Sequence, residues 1–158
     1  MIQIKDKIFQ LDTQSTSYLF AITDEGHAEH IHYGRKISAA DADALRLKNT
    51  IMLGTTVDYA SKVGYSLDTL PLEYSGIGKG DFRHSPLELI MPDGSFVTDF
   101  VYDSHHVSEG AFAPEHCELP FATGEGETLS LVFKDKKYPG VSLILHYTVF
   151  EEQNVIAR

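Results

Sequence analysis

Eight histidines stand in this sequence of 158 residues, and their grouping is the first place to look for chemistry. His27, His30 and His32 fall in one short stretch, and His105 is next to His106. A zinc site needs three or four ligands, usually with cysteines or a fixed histidine spacing. In a strand, alternate side chains share a face, so only His30 and His32 are expected to point together, with no nearby cysteine to join them. They read as solvated or hydrogen-bonded strand histidines, and no metal or other cofactor is expected. Gly76, Gly78 and Gly80 suggest a phosphate cradle, but they lack a preceding strand, a following helix and a Gly-Lys-Ser/Thr ending. Turn formation is the better reading. No Gly-x-Ser-x-Gly elbow presents a serine nucleophile. Asp81, Asp99 and Asp103 are candidate carboxylates, yet acid–base work depends on a separation in space that the sequence does not contain. Cys117, the single cysteine, stands between His116 and Glu118 and reads as an ordinary loop residue.

The elements that must position these residues are mainly β. Apolar residues recur with period two in segments rich in Val, Ile, Tyr, Phe and Thr, as a pleated strand with one buried face requires. The spacing predicts strands at Ile2–Ile4, Ile8–Leu11, Ser17–Thr23, Ala28–Tyr33, Leu87–Met91, Ser95–Tyr102, Thr128–Lys134 and Val141–Phe150. Pro92-Asp93-Gly94 predicts a hairpin between the fifth and sixth of these, and Lys137-Tyr138-Pro139-Gly140 a turn between the last two. One helix is expected: Ser38 to Asp41 resembles a capping box, Ala42 to Leu53 are good helix formers, and Gly54 is placed to end it. From Gly54 to Pro86 the chain is rich in Gly, Ser, Asp and Tyr without clean periodicity. Irregular segments of that length are usually functional or held by a partner. After Phe150 the chain ends with residues that begin another strand, so it reads as a cut through a larger domain.

Composition narrows the partners. With 13 basic and 23 acidic residues the formal charge is −10 and the isoelectric point about 5.1, a field that repels phosphate backbones and anionic headgroups. Nucleic acid and membrane are not expected partners. The alternation of apolar and charged residues in Met1–Lys7 is unlike a signal peptide, and one cysteine fits a reducing compartment, so the expected address is cytoplasmic. Eight Tyr and nine Phe offer stacking surfaces for sugar rings, although most belong to the core, and the absence of Trp disfavours a stand-alone sugar-binding module.

Several segments fall into one order: Thr16-Ser17-Tyr18-Leu19-Phe20, Ile31-His32-Tyr33-Gly34, Tyr65-Ser66-Leu67-Asp68, Glu73-Tyr74 and Gly80-Asp81-Phe82-Arg83. They continue with Asp93-Gly94-Ser95, Asp99-Phe100-Val101-Tyr102, Leu119-Pro120, Glu127-Thr128-Leu129 and Tyr147-Thr148-Val149-Phe150-Glu151. Over essentially the whole chain this resembles the N-terminal region of bacterial α-galactosidases of glycoside hydrolase family 36, the melibiose- and raffinose-cleaving type.

The resemblance implies an all-β fold: an antiparallel β-sandwich, part of a β-supersandwich of galactose-mutarotase-like type, followed by a catalytic barrel and a small C-terminal β domain. Residues 1–158 are then an N-terminal fragment, and the catalytic carboxylates of the retaining mechanism lie in the barrel, so no catalytic residue is assigned to this chain. The resemblance also implies a homo-oligomer, commonly a tetramer, in which loops of this domain frame the α-galactoside pocket. Tyr74, Asp81, Phe82 and Arg83 are the expected substrate-binding or interface residues. The alternative for Asp81 and Arg83 is an internal contact that fixes the loop. Two other readings are a stand-alone carbohydrate-binding sandwich and a mutarotase-like domain using a histidine such as His105.

Overall fold

The structure is a computed structural model that describes residues 1–46, 57–115 and 122–158. Two antiparallel four-stranded sheets are built in chain order. The first contains β1 (Ile2–Lys5), β2 (Ile8–Asp12), β3 (Thr16–Ile22) and β4 (Ala28–Arg35). The second contains β5 (Phe100–Glu109), β6 (Glu127–Asp135), β7 (Ser142–Phe150) and β8 (Val155–Ala157). Period-two patterning decides what lies between them. Phe9, Leu11, Phe20, Ile22 and Ala28 of the first sheet form one buried cluster with Phe100, Leu129, Leu131, Phe133, Tyr147 and Val149 of the second. Phe9 and Phe20, register partners on β2 and β3, stack at 5.0 Å, and Phe20 stacks on Tyr147 of β7 at 5.2 Å.

The outer face of the first sheet is covered as well. Gln10 and Leu19 pair across β2 and β3 on that face, and both are buried. The chain after β4 crosses over this face, with Gln10 Nε2 donating to the Ile37 carbonyl at 3.1 Å and Ile37 N donating to Ser17 Oγ at 3.3 Å. Ser38 then caps a short 3₁₀ turn at Ala39–Asp41, its hydroxyl accepting from Ala40 N, and α1 (Ala42–Leu45) follows. The expected helix to Leu53 is interrupted at Arg46, which is extended because its guanidinium turns back to buried Glu29 at 3.0 Å. Leu47 to Leu53, with Gly54, lie outside the described residues, as do Cys117 and Leu119-Pro120.

Three further expectations need correction. Leu87–Met91 and Ser95–Asp99 are not strands. The turn between them exists, with Met91 N donating to the Ser95 carbonyl at 2.8 Å and Asp93 Oδ1 accepting from Ser95 N, but Thr98 N donates to Ile77 O rather than to a strand partner. β5 begins only at Phe100 and runs on to Glu109 through Asp103-Ser104-His105-His106, a solvent-facing stretch whose polarity hides it from an apolar-period reading. Finally, the β3–β4 register shifts between Leu19 and Phe20, so that His32 faces Leu19 and His30 faces Phe20. Leu19 and Phe20 point to opposite sides, so this bulge puts His30 and His32 on opposite faces too.

Candidate functional site

The irregular segment is fastened along the free edge of β4. His30 N donates to Pro71 O at 2.6 Å and Glu73 N to Ala28 O at 2.9 Å, while Glu29 bridges Leu72. From there the four expected residues diverge. Tyr74 turns inward, its ring edge-on to Phe100 at 6.1 Å. Asp81 and Arg83 meet each other: Arg83 Nε donates to Asp81 Oδ1 at 2.9 Å and Nη2 to Oδ2 at 3.1 Å. Nη1 and Nη2 also donate to the carbonyls of Leu70 and Leu67 at 2.8 and 2.5 Å. Four of the guanidinium's five N–H groups are therefore engaged inside the loop, and its fork ties residues 67–70 to residues 81–83.

Phe82 lies between this pair and points the other way. Its backbone N–H is held by Asp68 Oδ1 at 3.1 Å, while the residue is 70% exposed. A left-handed turn makes the geometry possible. Gly78, Lys79 and Gly80 all have positive φ, and a Cβ on Gly80 would lie 2.8 Å from the Val57 side chain. Conformation and space both demand glycine at position 80. Asp99, at the lead into β5, faces Lys79 Nζ of this turn at 3.5 Å and accepts from the Tyr59 hydroxyl at 2.8 Å, and Lys136 Nζ donates to that same hydroxyl at 3.0 Å.

Glu73 is the residue that sequence reasoning passed over, quoting it only as part of a motif. Its carboxylate is 1% exposed and accepts from Tyr147 at 2.6 Å, from Tyr18 at 2.8 and 2.9 Å, and from His30 Nδ1 at 3.0 Å. Arg158 Nη1 lies 3.5 Å away and its Nη2 donates to the Glu73 carbonyl. Burial pushes the Glu73 pKa up, but donation from His30, Tyr147 and Tyr18 and the charge of Arg158 outweigh it, so the carboxyl stays below its ordinary range. Burial and that carboxylate hold both tyrosines well above the ordinary phenol range. The only sequence signal was an acidic residue beside Tyr74 in a segment without clean periodicity.

His27, His32 and His105 each have a hydrogen-bonding partner. His27 Nδ1 pairs with the Tyr65 hydroxyl at 2.9 Å, and burial lowers the His27 pKa to about 4. His32 Nε2 faces the Arg35 carbonyl at 3.0 Å, and His105 Nδ1 the Tyr102 hydroxyl at 2.6 Å. Among the described residues no three His, Cys, Asp or Glu side chains converge as a metal site, and no helix is long and apolar enough to cross a membrane.

The class the fold defines is a two-sheet antiparallel β-sandwich whose long loop is knotted by Asp81–Arg83 and fastened to both sheets through Glu73. The sequence profile of the "Glycosyl hydrolase family 36 N-terminal domain" matches residues 26–158, and the chain belongs to that family. Among curated proteins, it is 30% identical over 153 residues to the bifunctional alpha-galactosidase/sucrose kinase AgaSK of Mediterraneibacter gnavus, covering 96% of this chain and 16% of that protein. It is also 30% identical over 156 residues to alpha-galactosidase AgaA of Geobacillus stearothermophilus, covering 96% and 21%. Among solved structures, the galactosidase domain of AgaSK superposes with a TM-score of 0.87 at 29% identity, over 99% of this chain and 22% of that one. AgaB of Geobacillus stearothermophilus gives 0.81 at 30% identity, over 99% and 21%. The chain thus spans about a fifth of the length of the relatives it matches.

Proposed function

We propose that this chain is the N-terminal, non-catalytic domain of an α-galactosidase that removes terminal α-galactosyl residues from melibiose- and raffinose-type galactosides. The observation that carries this reading is the match of 96% of this chain to AgaSK and to AgaA, together with a solved complex of an AgaA variant with raffinose that matches 95% of this chain at a TM-score of 0.81. In this reading residues 1–158 are part of a β-supersandwich, and a retaining barrel and a C-terminal domain supply the chemistry. The enzyme is a cytoplasmic homo-oligomer, and this domain gives it a scaffold and a loop that frames the pocket.

Within the loop, Phe82 is the contact residue and Asp81 and Arg83 are its supports, because the pair is engaged internally while the ring faces outward. Tyr74 anchors the loop from below. The test is Phe82→Ala in the full-length enzyme, read by KM for raffinose and by sedimentation. A raised KM or a smaller assembly is expected. No change in either overturns the assignment of Phe82. Calorimetric titration of the 158-residue chain with galactose and raffinose addresses the whole reading. No binding is expected of a scaffold, whereas measurable binding means a carbohydrate-binding module, and polarimetric activity on galactose means a mutarotase.

A further inference from the structure

Gly76 is not required by backbone conformation, since its φ lies outside the left-handed region. Space requires it. A Cβ at this position would stand 2.8 Å from Thr98 Oγ1 and 3.9 Å from Tyr74 Cε1. The two hydroxyls concerned, Tyr74 Oη and Thr98 Oγ1, are fully buried and have no protein hydrogen-bond partner among the described residues. Leaving a buried hydroxyl unsatisfied is costly, and native structures rarely tolerate it. Both residues line the same cavity of about 30 Å³, with Gly76, His27, Asp99 and Phe100.

We propose that this cavity is a binding site for a single water molecule that bridges the Tyr74 and Thr98 hydroxyls. Size selects the ligand. One water needs about 10–15 Å³ of such space and two to four polar partners, and the volume is far too small for a sugar ring. Charge rules out a cation. Asp81 is already neutralised by Arg83, and Asp99 is engaged by the Tyr59 hydroxyl at 2.8 Å and by Lys79 Nζ at 3.5 Å. The bridge supplements the Thr98 N–H donation to the Ile77 carbonyl at 3.0 Å, fastening residues 74–77 to the lead into β5. It stands independently of the α-galactosidase reading.

The test combines ¹⁷O magnetic relaxation dispersion, which counts long-lived internal waters, with chemical denaturation of the 158-residue chain. Thr98→Val is isosteric. Loss of one long-lived water and a fall in the folding equilibrium constant of about fivefold are expected, as for one broken hydrogen-bond bridge. An unchanged dispersion amplitude, or a variant as stable as the parent, overturns the proposal, because an unpartnered hydroxyl is no loss when replaced by methyl. Should Thr98→Val fail to fold, a crystal structure of the parent chain decides: density within about 3.2 Å of both hydroxyls is expected, and its absence refutes the site.

Discussion

The hydroxyl of Tyr147, on β7, donates to Glu73 Oε2 at 2.6 Å, and this contact joins the irregular segment to the second sheet. Glu73 is at the same time seated on the first sheet through its N–H to Ala28 and through His30 and Tyr18. One carboxylate therefore ties together both layers of the sandwich and the loop. A charge buried this deeply is tolerated only because its lone pairs are matched by donors.

Glu73→Gln keeps the shape and removes the charge. It also places an amide donor against hydroxyl donors and the Arg158 guanidinium. Because Arg158 is partly exposed and can rehydrate, the loss should fall below that of a fully stranded ion pair, about 2–3 kcal/mol. Urea denaturation monitored by tyrosine fluorescence measures it, and a shift under about 0.5 kcal/mol removes Glu73 from this role.

Arg83→Lys preserves charge but not the planar fork that reaches Asp81 and two carbonyls together. About 1–2 kcal/mol of stability should be lost, and about 2–3 in Arg83→Ala, where the Asp81 carboxylate, 1% exposed, is left without its partner. Limited proteolysis should then cut between residues 67 and 83 before it cuts either sheet. A digestion pattern identical to the parent's would show that the fork does not hold the loop.

The sheets were legible because each strand packed against the core alternates, as Leu129, Leu131 and Phe133 do on β6. Where the chain obeys other constraints the pattern fails. Asp103 to His106 extend β5 as solvent-facing strand, and Thr98 pairs with a loop instead of a ladder. The β3–β4 bulge separates two histidines that strict alternation puts together. For the loop, sequence indicated the glycine turn and the proximity of Asp81 to Arg83. It could not show that Arg83 is engaged with Leu67 and Leu70, or that Glu73 meets Tyr147, because those contacts join residues distant along the chain.

Asn154, between β7 and β8, clasps the second sheet to the turn between β2 and β3 of the first. With φ at 55° it occupies a conformation that asparagine tolerates, and its Oδ1 accepts from Thr13 Oγ1, Ser15 N and Ser15 Oγ at 2.8–2.9 Å. A graded series follows from those two features. Asn154→Asp keeps both and should change stability by less than about 0.5 kcal/mol, Asn154→Gly keeps only the conformation and should lose about 1, and Asn154→Ala loses both and should fall by about 2. Thermal melts of the three variants measure the order, and an alanine variant as stable as the glycine one contradicts it.

His27 makes stability depend on pH in a definite direction. Burial lowers its pKa from 6.5 to about 4 in the folded chain, so between those values the unfolded chain takes up a proton that the folded chain refuses. Its contribution is complete above pH 6.5, declines as pH falls toward 4, and is gone below that, a span worth about 3 kcal/mol. Glu73 has the same sign in a lower window. Its folded pKa is held below 4.5, so its contribution is complete above that value and is lost as pH falls through the folded pKa. Measuring unfolding free energy from pH 7.5 to 3.5 separates the two, because only the upper part of the curve belongs to the histidine. Replacing His27 by Gln should flatten the decline between pH 6.5 and 4 while leaving the steeper loss below it. A variant that retains the parent's slope in the upper window means that some other group refuses the proton.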